Sequence, residues 1–232
     1  VNARTDVEKA SWPPYDAYKA SELGLLGEIP VHWCTKQLRR SATIYLSNVD
    51  KKSAEGQAAV RLCNYTDVYY NDRIASTTAF MEATATPEQC RRFQVRVGDV
   101  LLTKDSETGD DIASPAVIAE DLPGVLCGYH LALLRPGPEL FGGYLARAIA
   151  CSPIRDHFFA SATGVTRFGL SRNDIGTGVV PVPPVAEQKA IAAFLDRETA
   201  RLDGLIEKRQ RMIALLREKR AALITHAVTR GL

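Results

Sequence analysis

Short apolar runs broken by turn residues occupy most of the chain, and a long periodic stretch ends it. Val60-Arg61-Leu62-Cys63 alternates as a half-buried strand does. Val95-Arg96-Val97, then Gly98-Asp99, then Val100-Leu101-Leu102-Thr103 predict strand, tight turn and strand. Pro115 to Ala119, Val125 to Cys127 and Leu131 to Leu134 predict three more strands, and Gly178 to Val182 a last one. Helical spacing of Leu140, Tyr144, Leu145, Ala148 and Ile149 predicts a helix over Glu139 to Cys151, its first turn weakened by Gly142-Gly143. Pro153 suits the first turn of a second helix ending near Ser161, and a glycine-bounded loop, Thr163 to Gly169, follows. The opening segment, Val1 to Trp33, is rich in Pro and Gly and reads as an extended arm with a helical piece over Ala17 to Leu23.

After Pro181-Val182-Pro183-Pro184 the pattern changes abruptly. Ile191, Leu195, Leu202, Ile206, Ile213, Leu216, Leu223 and Ala227 advance by 4, 7, 4, 7, 3, 7 and 4, the seven-residue repeat of a coiled-coil seam. Some 40 residues of helix reach roughly 60 Å, whereas a body of ~180 residues has a radius of gyration near 16 Å. The plainer alternative is a helix packed on its own domain, but at this length much of the seam calls for a partner beyond it. Arg209 and Arg220 interrupt it, which would set register and orientation, and Gly204 is a candidate bend. The fold class expected is α+β: a strand-rich domain with a few short helices over 1–183, followed by a long coiled-coil helix over 184–232.

Composition adds limits. A hydrophobic fraction of 46% and a charged fraction of 24% are those of a globular protein. No apolar run approaches a membrane span, and the polar start, Val1 to Lys9, is unlike a signal peptide. The five cysteines form no C-x-x-C and the four histidines lack ligand spacing, which argues for a cytoplasmic protein without disulfides, structural zinc or other cofactor. Residues 184–232 hold 10 Lys/Arg and 6 Asp/Glu; residues 1–183 hold 19 and 21, so the body carries −2. Catalysis finds little support: Cys127 with His130 and Cys151 with His157 sit in no nucleophile motif, and Gly176-Thr177-Gly178 lacks the rest of a dinucleotide fingerprint.

An ordered set of segments resembles the specificity subunits of type I restriction–modification systems. Leu26-Gly27-Glu28-Ile29-Pro30-Val31-His32-Trp33 is similar to that family's opening, and Gly98-Asp99-Val100-Leu101-Leu102-Thr103-Lys104 to a central strand pair. Gly164 to Leu170, Val180 to Pro184, Ala186-Glu187-Gln188 and Ala222 to Thr229 complete the set, which spans nearly the whole chain. The resemblance implies a non-catalytic subunit that reads one half of a bipartite double-stranded DNA site. It also implies docking of methyltransferase subunits and, through them, restriction subunits. The family carries two recognition domains joined by two long helices, whereas this sequence has one of each, as either a natural half-subunit or a fragment of a longer chain would. A homodimer through Leu195, Leu202, Ile206, Ile213, Leu216 and Leu223 would restore the pair and predicts a palindromic split target. The rival is a coiled-coil scaffold or adaptor, which leaves the body without a role.

Base reading asks for paired donors or acceptors on exposed loops, and phosphate binding for cations, hydroxyls or amides. Thr166 and Arg167 in the glycine-bounded loop are the first candidates, followed by Lys104 and Ser106 beyond the central strand, Lys51 and Lys52, and Tyr70 and Asn71. Each has a plainer alternative: Arg167 paired with Asp174, Tyr69 or Tyr70 half-buried in a strand, Lys51 and Lys52 in a solvated turn.

Overall fold

The structure, a computed structural model, describes residues 15–21, 26–164 and 166–231. It opens on an antiparallel pair, β1 (Tyr18–Ala20) with β2 (Glu28–Pro30). Then come β3 (Cys34–Gln37), the single-turn α1 (Leu38–Ser41), β4 (Ala42–Leu46), β5 (Ala58–Cys63), α2 (Tyr65–Tyr69) and β6 (Arg73–Ile74). β7 (Met81–Ala85), α3 (Pro87–Phe93), β8 (Val100–Thr103), β9 (Asp105–Ser106), β10 (Pro115–Ile118), β11 (Val125–Cys127) and β12 (Leu131–Pro136) continue the body. It closes with α4 (Gly142–Ala150), α5 (Ser152–Ser161), β13 (Phe168–Gly169), α6 (Arg172–Thr177) and β14 (Val179–Val182), and α7 (Val185–Arg230) follows.

Two sheets build the core. One has five strands in the order β4-β12-β8-β10-β6, the other three in the order β11-β5-β7. Leu101, Ile118, Leu131 and Leu133 of the first share one apolar cluster with Leu62, Val125 and Leu126 of the second. All four residues of β8 are buried, because α4 packs on β8 and β10 as well. That double cover explains the unbroken apolar run Val100 to Leu102.

Three expectations need correction. Tyr18–Ala20 is a strand, not part of a helix, and residues 22–23 of the expected helix lie outside the described residues. Pairing of Tyr18 with Pro30 and of Ala20 with Glu28 satisfies backbone groups that a helix would have had to bond locally. Val95 to Val97 is not a strand: Gln94 makes a lone bridge to Leu126, and the chain then turns at Gly98, whose φ is +84°. The Asp99 carboxylate accepts the Arg96 N–H at 2.9 Å and pins that turn, and Arg135 grips the same carboxylate through Nε (3.0 Å) and Nη2 (2.8 Å). Finally α4 starts at Gly142, not Glu139. A β-carbon on Gly142 would lie 1.9 Å from the Gly98 carbonyl oxygen, so the pair that weakens the helix also lets the turn and helix touch.

The chain divides into two compact units between Lys189 and Ala190, inside α7. The first turn of α7 therefore belongs to the body, and two side chains hold it there. Glu187 accepts hydrogen bonds from Tyr15 Oη, from His32 Nε2 at 3.0 Å and from Trp33 Nε1 at 3.0 Å. Burial opposes ionisation of Glu187, but these bonds outweigh it and hold its carboxyl below the usual glutamate range. Gln188 is fully buried; its carbonyl accepts the Phe141 N–H at 2.7 Å, and its amide donates to the Glu139 and Pro183 carbonyls at 2.9 and 2.7 Å. His32 and Trp33 thus meet Glu187, 154 residues on from Trp33, and Gln188 ties the same turn to the segment before α4, making one joint.

In the second unit α7 is continuous through Gly204 to Arg230. Leu202, Ile206, Ile213, Leu216 and Leu223 are each at least half exposed, at 50, 54, 50, 58 and 60%; Leu195 is partly buried.

Candidate nucleic-acid interface

Where β8 and β4 end and β12 begins, four separate segments meet at one end of the five-stranded sheet. Lys104 follows β8, its N–H bonded to the His130 carbonyl and its carbonyl to the Leu170 N–H. β9 then pairs with β13, placing Phe168 opposite Ser106. The loop between α5 and β13 is closed by two backbone bonds between Thr163 and Gly169, at 3.1 and 2.8 Å. Within it Gly164 has a φ of +137°, and a β-carbon there would lie 1.9 Å from the Arg167 carbonyl oxygen. Only glycine fits that corner.

Asp105 is the electrostatic centre. Its carboxylate meets Arg167 Nη2 at 2.7 Å, His130 Nδ1 at 2.9 Å and Lys104 Nζ at 3.0 Å. Arg167 Nη2 also lies 2.9 Å from His130 Nδ1. Lys104 sits over the Tyr129 ring, 4.7 Å from its centre. Of these side chains Arg167 is the outermost, 52% exposed against 14% for Lys104, 15% for Asp105 and 28% for His130.

Facing this cluster is α2 with the residue after it. Tyr65 and Tyr69, one helical turn apart, stack at 5.5 Å and 14°, and Tyr70 meets Tyr69 edge-on at 4.9 Å. Asp67 accepts the Asn64 N–H at 2.7 Å and starts the helix. A hydrogen bond to the Asp111 carboxylate, with some burial, pushes the Tyr69 phenol up to about 12. Between the two walls lies a groove of about 480 Å³, lined also by Lys51, Thr66, Ser106, Glu107 and Thr108.

The structure thus brings Lys51, Ser106, Tyr70 and Arg167 to one groove, with Thr166 exposed beside Arg167. Ser106 is buried, and its hydroxyl accepts the Thr108 N–H, so it shapes the loop. Lys104 stands behind the surface, neutralised by Asp105. Lys52 is exposed outside the groove lining, and Asn71 spends its amide on the Asp67 carbonyl at 2.8 Å. Arg167 pairs with Asp105, not with Asp174, which instead accepts the Ser171 N–H at the start of α6. Tyr69 lies in a helix and Tyr70 is 76% exposed just after it, so neither is a half-buried strand residue. Sequence reasoning missed Asp105, His130, Glu107 and Asp111; only the Asn64-Tyr65-x-x-x-Tyr69 spacing carried a usable signal, a capped helical turn with a tyrosine pair.

Burial raises the thiol pKa of both Cys127 and Cys151, away from thiolate, and His130 faces Asp105.

No protein-family model matches the sequence. Over 105 residues the chain is 29% identical to the specificity subunit of the type I restriction enzyme EcoKI from Escherichia coli (strain K12), covering 45% of this chain and 22% of that protein. A structure describing complex assembly and conformational transition of the type I R–M system matches 88% of this chain and 47% of its own, at TM-score 0.63 and 19% identity. The HsdS subunit from Thermoanaerobacter tengcongensis matches 88% of this chain and 46% of its own, at TM-score 0.58 and 19% identity. This chain has the fold of one half of a type I specificity subunit. It spans under half the length of these solved relatives and about a fifth of the curated one is aligned. The expected α+β body and long C-terminal helix are those of the type I specificity-subunit fold, with α7 as the helix.

Proposed function

We propose that this chain is a DNA-recognition part of a type I restriction–modification specificity subunit, itself non-catalytic, with the body through about residue 183 reading one half of a bipartite duplex site. The observation that carries the reading is the groove: loops distant in sequence converge to present Arg167, Lys51 and Tyr70 together beside a five-stranded sheet. Three carboxylates, Asp105, Glu107 and Asp111, face two cations there, Lys51 and Arg167. A surface that is not net cationic suits base edges better than phosphates: guanidinium pairs with guanine, and carboxylates accept the cytosine amine.

Methyltransferase subunits, and restriction subunits through them, are the partners this role requires. The exposed apolar seam of α7 supports pairing with a second long helix, which a second copy of the chain supplies. Burying side chains of this size is worth about 1.5–3 kcal/mol each before the costs of association. No helix among the described residues is long and apolar enough to cross a membrane, and the role belongs in the cytoplasm.

Selection from a random duplex pool, with methyltransferase subunit present, tests the reading. Enrichment of a split palindrome is expected. A pool that stays random would refute DNA recognition, and an enriched single half-site, with a monomer in sedimentation at high micromolar concentration, would refute the dimer alone.

A further inference from the structure

The opposite end of the five-stranded sheet carries a second surface of different charge. There β4 begins at Ala42, opposite Pro136 of β12, and α1 and α6 lie against it. One concavity of about 410 Å³ is lined by Arg39, Arg172 and Asn173; a neighbouring one of about 420 Å³ shares Arg39 and adds Arg40. Gly176 makes this meeting possible. A β-carbon on it would lie 3.2 Å from Arg39 Cβ, so a larger residue would press the arginine away from α6.

None of Arg39, Arg40 and Arg172 meets a carboxylate among the described residues; Arg39 spends only its Nε, on Gln37 Oε1 at 3.0 Å. The nearby acid is already taken, since Glu139 binds Lys36 and Ser41. Arg135, in the same concavity, is held by Asp99. Three exposed, uncompensated guanidiniums therefore stand together on a body whose residues 1–183 sum to −2 (19 Lys/Arg against 21 Asp/Glu).

We propose that Arg39, Arg40 and Arg172, with Asn173, form a binding site for the phosphodiester backbone of duplex DNA. The inference rests on the DNA-reading role proposed above and assigns backbone binding to a surface apart from the groove. Chain geometry favours DNA over an acidic protein as the occupant. Arg172 follows Arg167 by five residues, so their α-carbons lie at most about 18 Å apart. A duplex presents base edges within a major groove ~12 Å wide, bordered by phosphates. One duplex that places its base edges at Arg167 therefore brings a backbone within reach of Arg172. Asn173 supplies an uncharged donor of the kind that accompanies arginine at phosphates.

The test is a salt titration of duplex binding by the full chain with methyltransferase subunit, on the sequence enriched by the wild type and on a random duplex. Replacing two phosphate-contacting arginines lowers the slope of log affinity against log salt by about 2. The double variant Arg39→Ala with Arg172→Ala should show that reduced slope, with at least about tenfold weaker binding near 0.1 M salt on both duplexes and an unchanged preferred sequence. Arg39→Lys with Arg172→Lys should keep the slope, which separates charge from any folding defect. An unchanged slope in the alanine variant overturns the site and leaves the base-reading groove standing. Loss of methyltransferase binding without a change of slope also overturns it, in favour of a protein contact. If the wild type enriches no sequence, the site and the DNA reading fall together.

Discussion

Two carboxylates in the body each gather three side chains, and their company differs. Glu187 is met by a phenol, an indole and an imidazole, none of which is a permanent cation. Asp105 is met by Lys104, Arg167 and His130, more positive charge than one carboxylate needs. At Glu187 each donor is needed to hold the charge in place, so the cluster acts as a fixed joint. At Asp105 one cation is dispensable: Arg167, the most exposed, can turn toward a ligand while Lys104 still balances the acid. A surplus of cations around a half-buried acid is thus a way to aim a guanidinium without committing it.

The largest effect is expected at the joint. Gln188→Ala strands the Phe141 N–H and the Glu139 carbonyl in part-buried positions and the Pro183 carbonyl in a buried one, and the loss of stability should be about 3 kcal/mol. Urea unfolding measures it, and a change below about 1 kcal/mol would show that the joint is not what holds the first turn of α7. At the second carboxylate the readout moves from stability to DNA. Arg167→Ala should cut affinity for the selected duplex more than about threefold, consistent with one lost base contact of ~1–3 kcal/mol, while the urea midpoint stays put. Equal binding by variant and wild type would remove Arg167 from the reading surface.

A third comparison uses acid. The Glu187 carboxyl is held below its usual range, so the stability it contributes is fully present above the unfolded glutamate value near 4.3 and is lost as pH falls through the folded value. Glu187→Gln should flatten that part of the stability–pH curve, measured by urea midpoints between pH 6 and 3; a parallel curve would place the acid sensitivity elsewhere. The smallest effect separates the two roles within the Asp105 cluster. Asp105→Asn should leave the fold within about 1 kcal/mol, yet narrow the gap between selected and random duplex severalfold, since Arg167 and Lys104 then act as free charges. A gap that does not narrow would mean that Asp105 does not aim Arg167.

How much of this was readable depends on the distance over which each feature is encoded. The apolar runs at Val100 to Leu102, Val125 to Cys127 and Leu131 to Leu134 mark strands because burial on both faces leaves a local trace, and the seven-residue repeat marks α7 because helical spacing is itself local, although that seam is exposed. The segment Tyr18–Ala20 misled because its partner, Glu28–Pro30, lies beyond local pattern. Arg167, singled out by its glycine-bounded loop and the family resemblance, and Lys51 and Tyr70, singled out by side-chain chemistry, all line the groove. Asp105 and His130 were not expected there, because nothing in either neighbourhood reports that the end of β8 and the start of β12 will place them 2.9 Å apart. Lys104 and Ser106 lie deeper than expected for the converse reason: polar residues after a strand look exposed until the fold supplies a carboxylate for one and a cover for the other.

Gly164 sets a limit on how such a loop can diversify. Thr166 and Arg167 beside it are exposed, and under the proposed reading role they are the positions that would change with a new target. Gly164 itself is not free to change, since any side chain there would run into the Arg167 backbone. Under that proposed role the loop can be rewritten residue by residue only around a fixed hinge pin. Variation in target should therefore leave a glycine at this position while the letters beside it turn over.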